Sequence, residues 1–323
     1  MLKQNNKGYY LGVVEMMIAN SFVGVNIILN KFLLDKAPLF ILLEMRYLFG
    51  VVILLFISLF MKPKLQFYLT QERFSNKDWI IYILMALSGG AFFNFIYMLG
   101  MLNTTASSVG IISSAIPTLI AIFSFFILKQ PLKRVHIFCI ILVVLGVSML
   151  NLSRISVNDN LNPDSVLMFV GNLIVFLAMI PEALFTIFAK MVKVKVCPII
   201  SGLLINFLNA LFCLPFALFY LNKINIFSLD YIVWIFSFCV GLFSGALFYI
   251  FYNKGIAKID ANTAALLTGV IPISAATLSI IFLKEPIHIT TILGMLFVLM
   301  SIYIGAKFSD DSKVLLYRVR QKQ

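Results

Sequence analysis

Residues 79–131 read WIIYILMALSGGAFFNFIYMLGMLNTTASSVGIISSAIPTLIAIFSFFILKQP, and 155 positions later residues 234–286 read WIFSFCVGLFSGALFYIFYNKGIAKIDANTAALLTGVIPISAATLSIIFLKEP. The two stretches align without a gap and are identical at 16 of 53 positions, where so apolar a composition would give roughly four or five by chance. The matches include residues that apolar bias does not supply. The only two tryptophans pair, Trp79 with Trp234, and so do Gly90 with Gly245, Tyr97 with Tyr252, Gly100 with Gly255 and Pro117 with Pro272. The segments also close alike, LKQP at 128–131 against LKEP at 283–286. A self-match of this length marks a duplicated unit.

The composition around the repeat sets its solvent. Hydrophobic residues make up 62% of the 323 positions, charged residues 12%, and mean hydropathy is +1.03. A soluble domain carries about a quarter charged residues, so this chain cannot clothe itself in a hydrated surface and is expected in a bilayer. Apolar segments of spanning length, roughly 20 residues, recur at 9–33, 38–61, 79–102, 106–128, 133–152, 165–189, 198–221, 231–253, 261–283 and 287–307. The links between them are short and hold most of the charge. Two are longer, 62–78 and 153–164. The first, KPKLQFYLTQERFSNKD, is either an interfacial amphipathic link or a solvated loop.

The net charge of +12 is distributed by side rather than by patch. With both termini inside, 19 lysines and arginines fall on cytoplasmic links and tails, five fall on the opposite side, and Arg46 lies within a span. Positive charge retains short loops in the cytoplasm, so the basicity orients the chain and is not a nucleic-acid footprint. Glu15 interrupts the first apolar run, which therefore reads as a retained span rather than a removed signal. The expected fold class is an all-α integral membrane protein of ten transmembrane helices. Five spans per half is an odd number, so the second half enters from the opposite side and the repeats are inverted, with both termini cytoplasmic. The units are residues 1–153, 154–308 and a basic tail, 309–323. Inverted repeats let two halves rock about a shared midplane site.

At these residues the chain resembles EamA repeats, and as a whole it resembles the drug/metabolite transporter superfamily. The resemblance rests on the ten-span length, Gly100 and Gly255, the helix starts TTASSVG and DANTAAL, Pro117 and Pro272, and the closing LKQP and LKEP. The chain departs from that pattern in the last helix of each half, where the paired glycine is replaced by Gly146 and Gly294 at non-equivalent positions. The resemblance implies secondary transport of an amino acid or related metabolite across a bacterial-type inner membrane, with the fourth helix of each repeat lining the cavity. Import of a nucleoside-like or sulfonium compound is the alternative within the class. A non-transporting membrane enzyme or scaffold is the alternative outside it.

Candidate site residues follow from what a membrane interior penalises. Pro117 and Pro272 each remove an amide donor and free the carbonyl four residues back, on Ser113 and Thr268. A kinked, hydroxyl-bearing stretch of this kind is either a cavity wall or a packing kink. Ala86 with Gly90, and Gly241 with Gly245, form small-xxx-small faces suited to close packing. Tyr97 and Tyr252 follow on the same helices and could stack on a solute or anchor at an interface. Ionisable groups within spans usually face the bundle interior: Glu15, Glu44, Arg46 and Glu182. Arg46 suits a substrate carboxylate or phosphate. Glu182, beside Pro181, suits proton coupling or cation recognition, with Glu15 a second candidate for proton coupling or an ion pair. Alternatively, Glu182 and Arg46 pair with each other. Asn94, with Asn20 and Asn26, either bonds between helices or joins the cavity. His136 and His288 stand just inside spans without partners at ligand spacing, and four isolated cysteines show no CxxC pattern. No catalytic residue, metal or cofactor is expected, and no nucleotide-binding motif is present. The expected partners are a small solute, the bilayer, protons as a candidate coupling ion, and at most a second copy of the chain.

Overall fold

The computed structural model describes residues 2–34, 36–60, 75–103, 112–113, 115–130, 134–152, 163–192, 196–221, 225–283, 289, 292–297, 299–301 and 303–304. Their regular structure is helical throughout, with no strand among the described residues. The helices are α1 (Leu2–Leu34), α2 (Leu39–Phe60), α3 (Asn76–Leu102), α4 (Ala115–Leu128) and α5 (Arg134–Leu152). After them come α6 (Pro163–Met191), α7 (Pro198–Leu221), α8 (Tyr231–Ile256), α9 (Ala261–Leu267), α10 (Val270–Leu283) and α11 (Ile292–Ser301). Six stretches, Gly8–Leu34, α2, α3, Phe169–Met191, α7 and α8, are long and apolar enough to cross a membrane, and four shorter apolar helices accompany them. Phe56, Phe126, Phe169 and Phe282 are each more than 60% exposed on the outer face. Rings so placed are costly in water and at ease in lipid.

The duplicated halves fold alike down to their caps. Ser75 and Asp230, 155 residues apart, begin α3 and α8. Ser75 Oγ accepts from the Asp78 amide at 3.3 Å while Asp78 Oδ2 accepts from the Ser75 amide at 3.0 Å. Asp230 accepts from the Ile232 amide at 3.2 Å. Each cap satisfies amides that a helix start leaves unpaired, and Trp79 and Trp234 stand four residues further on. Midway along, both helices widen into a π-helical turn, Leu87–Ala91 in α3 and Gly241–Leu247 in α8. Such a turn carries an extra residue and loosens the backbone ladder. At Gly90 the backbone leaves helical geometry (φ −121°, ψ −107°).

The ninth apolar segment departs from expectation. Read as one span with a kink at Pro272, it is two helices: the chain breaks at Thr268–Gly269 between α9 and α10. The Thr268 carbonyl is not left free, because the Ile271 amide donates to it at 3.0 Å in a tightened turn. Proline 272 has no amide to offer, and the turn before it closes through i→i+3 bonds instead. Asn20 on α1 donates to the Leu267 carbonyl at 2.9 Å, so this asparagine ties α1 to the break. In the first half Pro117 is the third residue of α4 as described, with residues 112 and 113 also helical before it. Ser113 is half-buried, and residues 104–111 and 114 lie outside the described residues. The long links 62–74 and 153–162, and the His136 and His288 side chains, also lie outside them.

The packing interlocks the halves. α1 packs against α8, α9 and α10, while α6 packs against α3 and α4, and α2 lies along α7. Glycines permit the crossings. A Cβ on Gly255 would stand 2.9 Å from the Gly12 carbonyl oxygen and 3.0 Å from the Met16 amide nitrogen. A Cβ on Gly100 would stand 3.0 Å from the Gly171 carbonyl oxygen and 2.9 Å from the Val175 amide nitrogen. The same crossing is therefore made twice, α1 with α8 and α6 with α3.

Candidate functional site

The polar centre of the bundle starts from α2, which carries Glu44, Arg46 and Tyr47, all buried. Arg46 Nη1 donates to Asn94 Oδ1 at 2.5 Å. The Asn94 amide in turn donates to the Tyr47 hydroxyl at 3.2 Å and to the Gly90 carbonyl at 2.8 Å, a carbonyl of the π-helical turn. Arg46 also lies over the Tyr47 ring, 5.3 Å from its centroid, a favourable position for a guanidinium. Its Nε has no hydrogen-bond partner among the described residues, nor has Glu44 Oε2.

α6 supplies the facing wall. Pro181 within it precedes Glu182, and Thr186 follows one turn later. Tyr252 donates to the Thr186 hydroxyl at 3.1 Å, and Glu182 interacts electrostatically with Arg46, Tyr97, Tyr249 and Tyr252. The two repeat-mate tyrosines are held the same way. Phe93 and Tyr97 have ring centroids 5.2 Å apart at 32°, and Phe248 and Tyr252 5.1 Å apart at 30°. Each is an i, i+4 aromatic pair, which the helical pitch brings into contact.

Sequence reasoning thus named five residues that converge here: Arg46, Asn94, Tyr97, Glu182 and Tyr252. The alternative of a direct Arg46–Glu182 ion pair is not realised, because the guanidinium is engaged by Asn94 and no ion pair joins it to Glu182 or to Glu44. Glu15 lies elsewhere. Its carboxylate meets Lys258 at 2.5 Å, fastening α1 to the corner between α8 and α9. Lys190, in the last turn of α6, donates to the Ile256 and Ile259 carbonyls at the same corner. Pro117 and Pro272 sit on α4 and α10, with Thr268 at the break between α9 and α10; α4 packs on α9, so these residues lie on neighbouring elements.

Asn206 and Asn209 were missed. Both are fully buried on α7, one turn apart. Asn209 Oδ1 accepts from the Ala91 amide at 2.8 Å, and the Asn206 amide donates to the Gly245 carbonyl at 2.6 Å and to the Gly202 carbonyl at 2.8 Å. The signal was available as two asparagines at i, i+3 within an apolar segment, a spacing that puts both on one face. A crevice of about 370 Å³ between α4 and α5, lined by Thr118, Ile122, Ile137 and Ile141, is apolar and apart from this cluster. Among the described residues no group of three His, Cys, Asp or Glu gathers as a metal site would require.

Comparison with known proteins agrees with a duplicated membrane bundle. The sequence model of the EamA-like transporter family matches twice, over residues 10–152 and 169–305. The chain belongs to the EamA-like transporter family. Its relatives include the "Uncharacterized transporter YetK" of Bacillus subtilis (strain 168), 30% identical over 90% of this chain and 85% of that one. The "Uncharacterized transporter YyaM" of the same organism is 22% identical over 70% of this chain and 73% of that one. A solved crystal structure covers 94% of this EamA-like chain and 97% of its own with a TM-score of 0.70 at 14% identity, a likeness of fold. This multi-pass membrane protein is therefore a transporter by family.

Proposed function

We propose that this EamA-like transporter moves a small zwitterionic metabolite, an amino acid or a close relative, by alternating access and without ATP. The observation that carries this reading is the Arg46 guanidinium. It is buried, steered by Asn94, and in direct contact with neither Glu44 nor Glu182. Charges within a bilayer are costly and ordinarily close on one another. A guanidinium and carboxylates held apart are matched instead by a solute bearing both signs, its carboxylate toward Arg46 and its ammonium toward Glu182, with Tyr97 and Tyr252 flanking. Ser113, Pro117, Thr268 and Pro272 belong in this reading to the walls along α4, α9 and α10.

The reading includes ten spans in two inverted five-helix repeats, 1–153 and 154–308, a bacterial-type inner membrane, and both termini cytoplasmic. The 19-to-5 distribution of basic residues supports the orientation. Single-cysteine labelling of either terminus in intact cells tests it, since modification from outside excludes it. Transport is tested with the purified protein in liposomes preloaded with unlabelled amino acids, by counterflow of the labelled ones. Uptake that is lost in Arg46→Ala supports the reading. If no amino acid moves and none raises the protein's thermal stability, the zwitterion is excluded, and nucleoside-like and sulfonium compounds are the next arms of the same screen.

A further inference from the structure

The two π-helical turns leave backbone groups unpaired in the middle of α3 and α8, and α7 answers both of them. Asn209 supplies an acceptor to the Ala91 amide of one turn, and Asn206 supplies a donor to the Gly245 carbonyl of the other. The fit around both asparagines is close. A side chain at Gly90 would collide with the Asn209 amide group, and a side chain at Gly50 would stand 2.6 Å from Asn206 Oδ1. From Asn209 an unbroken series of contacts reaches the charged centre: Ala91, then Gly90, whose carbonyl accepts from Asn94, then Asn94 to Arg46. We infer that Asn209 is a positioning residue, which holds the α3 π-helical turn open and through Asn94 aims the Arg46 guanidinium.

The inference rests on reading Arg46 as the solute-contacting group, and its geometry can be tested without any solute. Oδ1 is the Asn209 atom in use, while its Nδ2 has no partner among the described residues. An aspartic acid at this position keeps the acceptor, whereas a leucine of similar size removes it.

The experiment uses the full chain in lipid nanodiscs. Hydrogen exchange of the segment 87–94 reports the turn, and phenylglyoxal modification of Arg46, the one arginine within 39–60, reports the guanidinium. In Asn209→Leu both are expected to rise about tenfold, the factor one lost hydrogen bond supplies, and Asn209→Asp is expected to recover most of the protection. Asn94→Leu is expected to free Arg46 while the Ala91 amide stays protected, because it cuts the series beyond the turn. It keeps the test decisive if Asn209→Leu does not fold. Unchanged Arg46 reactivity in a folded Asn209→Leu, or in Asn94→Leu, overturns the inference. So does an Asn209→Asp no better protected than the leucine. Absence of amino-acid transport with these protections intact would count against the zwitterion reading and leave the positioning role standing.

Discussion

At the scale of single residues, the site is decided by which polar atoms are already spoken for. Arg46 uses Nη1 on Asn94 and stands over Tyr47. Arg46→Lys keeps the charge but loses the planar fork that meets a carboxylate bidentately. Its half-saturation concentration for the amino acid found in counterflow should rise about tenfold or more, with a smaller change in maximal rate, as one charge-assisted bond supplies. Equal values for the two proteins would detach Arg46 from the solute. Glu182 interacts electrostatically with Arg46, Tyr97, Tyr249 and Tyr252, without an ion pair to Arg46. If it carries the coupling proton, Glu182→Gln should lose accumulation driven by a pH gradient and retain solute exchange in liposomes. Accumulation that persists in the variant would move coupling to another group, and Glu44, also buried in α2, is the first to examine.

At the scale of elements, the corner between α8 and α9 is gripped from two sides. Glu15 meets Lys258 with little exposure (11% and 31% of the side chains). Lys190 reaches the Ile256 carbonyl that ends α8, where a cation complements the helix dipole, and the Ile259 carbonyl just beyond it. Lys258→Glu should destabilise the protein by roughly 2 kcal/mol, between the exposed and fully buried limits for ion pairs. The double reversal with Glu15→Lys should recover most of that in a thermal-unfolding assay; a double reversal as unstable as the single change would contradict a specific pair. Beneath it the Gly12–Gly255 crossing leaves no room for a methyl group: beside the Met16 side chain, the Gly12 carbonyl oxygen and the Met16 amide nitrogen crowd it, and these are backbone that cannot step aside. Gly255→Ala is therefore expected to cost about 1–3 kcal/mol as an overpacked contact. Gly8→Ala, where a Cβ meets nothing within 4 Å, serves as the comparison. Equal unfolding midpoints for the two glycine variants would refute the close crossing.

For the whole molecule, each half completes its core with a helix from the other, α1 against α8, α9 and α10, and α6 against α3 and α4. Neither half alone can then bury its helix faces. Expressed separately, 1–153 and 154–323 should each be degraded in the membrane, while co-expression should restore both and, with them, transport. A half that accumulates stably by itself would show that the interlock contributes little.

What was legible in the sequence is what depends on local chemistry. Apolar run length marked the helices, since a bilayer tolerates no unpaired backbone. The gapless match of 79–131 with 234–286 forecast the likeness of α3 and α8, and their caps, tryptophans, tyrosines and π-helical turns do coincide. The match also named Tyr97 and Tyr252, while Arg46, Asn94 and Glu182 stood out because polar groups are rare within spans. The sequence could not say with whom such groups pair. Proline 272 announced a break, but the neighbouring turn chose where it fell and closed the Thr268 carbonyl within it. Glu15 stood as a candidate for proton coupling or an ion pair, and the corner after α8 brings Lys258 beside it. Asn206 and Asn209 went unnamed, and only the packing of α7 sets one against a carbonyl of α8 and the other against an amide of α3. Spacing along a chain governs what lies on one helix face, whereas which face meets which is settled by glycines, caps and bulges on helices more than a hundred residues apart. That is why the duplication could be read from the letters and the crossed assembly of its halves could not.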